Sequence, residues 1–171
     1  MDTSGKVPFS NDLGGKFAQV RIGFGHVGCF EKKYECAVLQ VTGRIEFQGK
    51  AKLNMGSRIV VGSNGLLVIG KDFTISANST IIAIKRIANG GDCLFSWGVL
   101  IMDSDFHHVS KIEGSEGDCT KDIEFDDHVW IGCRSLLLKG IGVSNNSVIA
   151  VNTFVTKSLM KVMLCWQGIL L

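Results

Sequence analysis

The fold is decided by residues 125–154, which read FDDHVW-IGCRSL-LLKGIG-VSNNSV-IAVNTF when they are divided into blocks of six. Every block begins with an aliphatic or aromatic residue, and Val155 continues the series. The next residue is often small, as at Gly132 and Ala150, and the fifth residue of each block is small or β-branched. Such a period is typical of short strands wound into a coil, in which three blocks complete one triangular turn.

The same spacing continues upstream, with slips of two residues that indicate longer turns. Its members are Phe47, Leu53, Val61, Ile69, Ile75, Ile81, Asn89, Phe95 and Ile101. The sequence therefore predicts an all-β chain, a left-handed parallel β-helix in the form of a triangular prism of hexapeptide coils. We expect one domain over residues 1–171, with an N-terminal cap over 1–40 and coils over 41–158. A β-sandwich would show a period of two, and a helical fold would show an apolar stripe every three to four residues.

One polar segment interrupts the coils, from about residue 103 to residue 122. It is rich in Asp, Ser, Gly and Glu and contains the adjacent histidines His107 and His108. A polar excursion on a rigid stack is where a catalytic loop is expected.

Composition excludes several other classes of function. A net charge of +2 without a run of Lys or Arg disfavours a nucleic-acid or membrane surface. No apolar segment approaches the roughly 20 residues that a membrane span needs, and residues 1–12 lack the apolar core of a signal peptide. The six cysteines form no C-x-x-C pair and are interpreted as free thiols. These features predict a cytoplasmic protein that does not span a membrane.

Several motifs resemble one family. Residues 96–107 read SWGVLIMDSDFH, and they are followed by V-W-I-G at 129–132, V-I-A at 148–150 and V-T-K-S at 155–158. Together with I-G-F-G at 22–25, these motifs resemble bacterial capsular, colanic-acid and O-antigen O-acetyltransferases of the hexapeptide-repeat superfamily. The resemblance implies transfer of an acetyl group from acetyl-CoA to a sugar hydroxyl, without a metal, in a homotrimer whose active sites lie between subunits.

The resemblance also implies roles for individual residues. His107 corresponds to the general base, because an imidazole that titrates near neutral pH can take the proton of a hydroxyl. Asp103 and Asp105 either contact the acceptor sugar, orient the imidazole or cap a tight turn. Trp130 is expected in the groove that holds acceptor or pantetheine. The residues expected along the CoA arm are Trp130, Ala150, Thr156 and Lys157, with Lys157 close to a phosphate.

The resemblance stops after Ser158. Residues 159–171 contain no acidic residue and no hexad. Residues 159–171 can be encoded by a codon set whose reading frame shifts when one base is added in front. The shifted frame reads F-N-E-G-N-V-V-L-A-G-N-P-A, an ending like that of the family. We therefore expect a frameshifted tail, which would remove part of the CoA wall.

Two alternatives follow from the same residues. The first is a non-catalytic or impaired coil that binds a sugar or CoA without transferring a group. The second, a zinc hydratase on the same fold, needs an H-x-x-x-x-H pair, and no pair among His26, His107, His108 and His128 has that spacing.

Overall fold

The computed structural model describes residues 20–25, 28, 30, 35–107 and 117–158. Within these ranges the chain forms seventeen short strands, and no helix there is long and apolar enough to cross a membrane. The strands are β1 (Val20–Ile22), β2 (Val38–Val41), β3 (Arg44–Phe47), β4 (Ala51–Leu53), β5 (Arg58–Val61), β6 (Leu66–Ile69), β7 (Phe73–Ile75), β8 (Thr80–Ala83), β9 (Arg86–Asn89), β10 (Leu94–Phe95), β11 (Leu100–Met102), β12 (Ile123–Phe125), β13 (Trp130–Ile131), β14 (Leu136–Leu138), β15 (Gly142–Val143), β16 (Val148–Ile149) and β17 (Phe154–Val155).

The strands form three parallel sheets that the chain visits in turn. The first sheet has the order β1-β4-β7-β10-β13-β16, the second β2-β5-β8-β11-β14-β17, and the third β3-β6-β9-β12-β15. Each strand is followed by a strand of the next sheet, so three strands complete one turn. The sheets are the sides of a triangular prism, and the architecture is the left-handed parallel β-helix that the repeat predicts.

The hexad residues fill the interior of the prism. The six that begin the hexads are at most 3% exposed: Phe125, Ile131, Leu137, Val143, Ile149 and Val155. The fifth residues of the blocks are also buried, and they are Val129, Ser135, Ile141, Ser147 and Thr153. In the same stack the ring of Phe95 contacts the rings of Phe73 and Phe125 edge-on, with centroids 4.9 and 5.1 Å apart. The predicted core is confirmed.

The turns of the coil shorten along the chain. Leu53 pairs with Ile75, twenty-two residues later, whereas Ile131 pairs with Ile149 after eighteen residues, the length of three hexads. The longer early turns contain four-residue strands such as β3, β5 and β6, whereas the strands of the last turns have two or three residues. These added residues are the slips in the sequence pattern.

The coil begins earlier than the sequence indicates. β1 pairs with β4 and β2 pairs with β5, and both β1 and β2 begin within the segment 1–40 that was predicted to be a cap. In β1 the half-buried Val20 and Ile22 flank the exposed Arg21. A strand of three residues is too short to display a period of six, so the pattern missed it. Residues 1–19 of the predicted cap lie outside the described ranges.

The outer faces of the sheets differ in polarity. On the second sheet an outward ladder is apolar from Val60 through Ile82 and Met102 to Leu138, and the polar Gln40 is in register at its β2 end. In the ladder beside it Leu100, Leu136 and Phe154 are apolar, whereas the positions on β5 and β8 are Arg58 and Thr80. On the third sheet, ion pairs join Arg86 to Glu124 and Arg44 to Glu46. An apolar outer face of this extent is typical of a surface that another chain covers.

Candidate functional site

The polar excursion leaves the prism at the edge between the second and third sheets. It begins after Met102, the end of β11, and returns at Ile123, the start of β12. Its two arms form a short antiparallel neck, in which Ser104 is bridged to Thr120 and the Asp105 amide donates to the Cys119 carbonyl at 2.9 Å. The segment 108–116, which includes His108, lies outside the described residues.

Asp103 anchors the neck to the preceding turn of the coil. Its side chain is completely buried, and its two carboxylate oxygens accept hydrogen bonds from the amides of Ile84 and Lys85, each at 2.8 Å. On the returning arm, the Lys85 ammonium lies 2.9 Å from the Asp122 carboxylate. Of the three roles left open for Asp103, this geometry corresponds to turn capping, because the buried carboxylate binds backbone amides and is not accessible to an acceptor sugar.

Lys139 ties the neck to the following turn. Its ammonium group donates to the Asp105 carboxylate and, at 2.5 Å, to the carbonyl of Asp118. The Lys139 ammonium thus joins both arms of the excursion, and the Asp105 carboxylate is bound to it. The sequence pattern missed Lys139, because a lysine in a polar turn carries no signal of its own.

His107 follows a sharp turn at the end of the neck and is exposed. The preceding residue, Phe106, has a φ of 60°, a conformation that bulky residues rarely adopt. The Phe106 amide donates to the Ser104 hydroxyl at 3.0 Å, which closes the turn. The strained turn and the neck together direct the chain outward at His107, where a bound molecule can reach the imidazole.

Thr156 and Lys157 lie at the same edge as His107. They follow β17, which pairs with β14, so they continue the edge two turns beyond the neck and one turn beyond Lys139. Both side chains are exposed. The turn is closed by Ser158, whose hydroxyl accepts a hydrogen bond from the Gly142 amide at 2.9 Å. An extended molecule lying along this edge could contact these residues and His107 together.

Trp130 occupies a different side of the prism. It lies on β13 in the first sheet and is 49% exposed, with Leu94 as its neighbour in register. Its indole N–H donates to the Ser96 hydroxyl at 3.1 Å, which fixes the ring against the sheet. In a triangular prism the first sheet is opposite the edge between the second and third. Within one chain, Trp130 and His107 are therefore on opposite sides.

Ala150 lies at a third place, the edge between the first and second sheets. Its carbonyl accepts hydrogen bonds from the hydroxyls of Ser135 at 3.0 Å and Thr153 at 2.8 Å. The turn of Ala150 packs so closely on Gly132 that a Cβ at Gly132 would lie 2.6 Å from the Val151 amide nitrogen. At Gly132, one of the small residues noted after a hexad start, the absence of a side chain is needed for this close stacking of turns.

The described residues offer little for metal or thiol chemistry. No group of three or more His, Cys, Asp or Glu side chains converges there as metal ligands would. Cys93 is buried, and burial raises the pKa of its thiol, with further contributions from Asp127 and Asp92. A buried, protonated thiol is a poor nucleophile.

No protein-family model matches the chain. A polysialic acid O-acetyltransferase from Neisseria meningitidis is 33% identical over 89 residues, which cover 51% of this chain and 41% of that protein. The chain thus spans less than half the length of the curated relative that it matches.

Solved structures share the fold. The polysialic acid-specific acetyltransferase NeuO superposes with a TM-score of 0.63 at 27% identity, over 71% of this chain and 56% of that one. A galactoside acetyltransferase in complex with coenzyme A superposes with a TM-score of 0.55 at 24% identity, over 67% and 56% of the two chains. The resemblance to hexapeptide-repeat O-acetyltransferases that the motifs predict is confirmed by these comparisons.

Proposed function

We propose that this chain is a subunit of an O-acetyltransferase that transfers an acetyl group from acetyl-CoA to a hydroxyl of a sugar polymer, with His107 as the general base. The observation that carries the proposal is the exposed His107 on a neck tied to the coils on both sides by Asp103 and Lys139. The relative from Neisseria meningitidis and NeuO, whose names describe acetyl transfer to polysialic acid, support the reaction class. The galactoside acetyltransferase that binds coenzyme A on the same fold supports the donor.

The reaction needs a base because a sugar hydroxyl is a weak nucleophile. The imidazole of His107 takes the hydroxyl proton as the oxygen attacks the thioester carbonyl carbon of acetyl-CoA. The tetrahedral intermediate then collapses, the carbon–sulfur bond breaks, and the proton passes to the departing sulfur. The products are the acetyl ester of the sugar and coenzyme A. Thr156 and Lys157 contact the CoA arm, with the ammonium of Lys157 at a phosphate.

The active site is completed by a second copy of the chain in a homotrimer. Since Trp130 lies on the sheet opposite the His107 edge, one chain does not bring both to the same substrate. The apolar ladder on the second sheet, from Val60 to Leu138, supports burial against a neighbouring copy. In a cyclic trimer the His107 edge of one subunit faces a different surface of the next, and we take that surface to be the one that carries Trp130.

The test is an assay of acetyl transfer from radiolabelled acetyl-CoA to sialic acid oligomers and to neutral oligosaccharides. We expect the His107→Asn variant to lose about 10²- to 10⁴-fold in kcat, the usual contribution of a general base. His128→Asn is the matched control, because His128 is also exposed but lies at another edge, 4.0 Å from the Asp92 carboxylate.

Two outcomes would contradict the proposal. The first is a His107→Asn variant that retains the wild-type kcat. The second is a wild-type protein whose melting temperature rises with CoA but which acetylates no sugar, since that result supports the non-catalytic alternative.

A further inference from the structure

The outer face of the first sheet carries a continuous ladder of side chains with two chemically different ends. The members in register are Arg21, Lys52, Thr74, Leu94 and Trp130, and Val148 continues the ladder beyond Trp130. Adjacent strands lie about 4.8 Å apart, so the ladder extends about 19 Å from Trp130 to Arg21. It is apolar and aromatic at the Trp130 end and cationic at the Arg21 end.

The cationic end is concave. A depression of about 310 Å³ is lined by three positive side chains, Arg21, Lys50 and Lys52, and by one negative side chain, Asp72. None of the three cations forms an ion pair with another residue that the structure describes. Three unpaired cations around one depression leave a local excess of positive charge that an anionic ligand would neutralise.

A second depression shows that this arrangement is not a general property of the coil. This depression has a volume of about 430 Å³ and lies at the edge between the second and third sheets. The positively charged side chain that lines it is Arg44. The Arg44 guanidinium already pairs with the Glu46 carboxylate at 2.8 Å. Of these two depressions, the one at the Arg21 end therefore offers a ligand more unpaired positive charge.

Resting on the proposed function, we propose that this face binds an acidic sugar polymer, whose carboxylates contact Arg21, Lys50 and Lys52 while its acetylated unit lies at Trp130. Arginine and lysine suit repeated carboxylates, and the face of an indole ring packs on the apolar side of a pyranose. A pyranose ring is about as wide as the spacing between strands, so the ladder accommodates several units. A single sugar at Trp130 would not reach the cations.

The prediction is that affinity depends on the length of the acceptor. For the full-length protein, we expect the KM of a sialic acid hexamer to be about 5-fold or more below that of the dimer, since several exposed ion contacts each contribute modestly. In the Arg21→Gln/Lys52→Gln double variant the ratio of the two KM values falls toward one. Lys71→Gln is the matched control, because Lys71 is an exposed lysine in the neighbouring turn that does not line the depression, and its ratio stays at the wild-type value.

Salt provides a second readout. Added salt screens exposed charges, so the length dependence of the wild type decreases as ionic strength rises, and the double variant responds less. Equal KM values for dimer and hexamer in the wild type, or an unchanged ratio in the double variant, would overturn the inference and leave the proposed function intact.

The two proposals fail separately. If the wild type acetylates no sugar, the proposed function fails, and calorimetric titration with the hexamer still tests this face. If the double variant loses binding of the hexamer and the Lys71→Gln variant keeps it, the result would support the first sheet as the binding face. Absence of binding, or equal binding by all three proteins, would overturn it.

Discussion

The His107 edge and the outer face of the first sheet are built in opposite ways. At the edge, buried or half-buried charges tie successive turns together, as in the contacts of Asp103 with two amides and of Lys139 with both arms of the neck. On the face, the side chains of Arg21, Lys52 and Trp130 are exposed. Of these, Trp130 is hydrogen-bonded within the protein, through its indole N–H to the Ser96 hydroxyl.

The difference supports the proposed division between catalysis at the edge and recognition on the face. At the edge, polar groups make contacts within the protein, and these contacts hold the neck whose strained turn precedes His107. On the face, the cations Arg21 and Lys52 form no ion pair with a described residue and the indole ring of Trp130 is half exposed, which suits recognition of a ligand. Because the two regions lie on opposite sides of the prism, a site that uses both requires two chains.

The largest effect is expected from removal of the buried carboxylate of the edge. In Asp103→Ala the amides of Ile84 and Lys85 lose their acceptors inside the protein, and we expect a loss of about 3 kcal/mol in the free energy of unfolding. Thr74→Ala on the face is the control, with a change within about 0.5 kcal/mol. Denaturant unfolding measures both, and a loss below about 1 kcal/mol in Asp103→Ala would show that the carboxylate does not anchor the neck.

A smaller change at the same edge separates positioning from stability. Lys139→Met removes the cation that joins both arms of the neck. We expect kcat to fall about 10-fold, which corresponds to a rise of about 1.4 kcal/mol in the activation barrier. The KM for acetyl-CoA should change less than about 2-fold. Exchanging the charges, with Asp105→Lys and Lys139→Asp together, should recover part of the loss.

Lys121→Met is the matched control for this variant. Lys121 belongs to the neck and is exposed, and its ammonium group has no partner among the described residues. Steady-state kinetics of the three proteins decide the point. Equal kcat values in Lys139→Met and Lys121→Met would assign Lys139 no positioning role.

The sequence predicted the parts of the molecule that are periodic. The hexads from Phe125 to Val155 specified the inward residues and the fold, because a side chain at every sixth position has to face the same interior. The excursion was visible as a break in that period, and the motif around His107 came with it. These features are local in the chain.

The remaining features depend on contacts between distant turns. Lys139 and Asp105 are 34 residues apart, and their pairing exists only because successive turns stack. Arg21 and Lys52 are brought into register by β1, whose three residues are too few to show a repeat. The burial of Asp103 likewise depends on the amides of the preceding turn, so the motif alone left its role open.

Complementation between subunits tests most directly whether the site uses two chains. His107→Asn and Trp130→Ala chains with different tags are expressed together, and assemblies that carry both tags are purified and assayed for acetyl transfer. If the imidazole of one subunit works beside the indole of the next, every mixed trimer contains one intact site of three and shows about one third of the wild-type activity. Mixed assemblies no more active than the two parent variants would show that the site does not combine His107 and Trp130 from different chains.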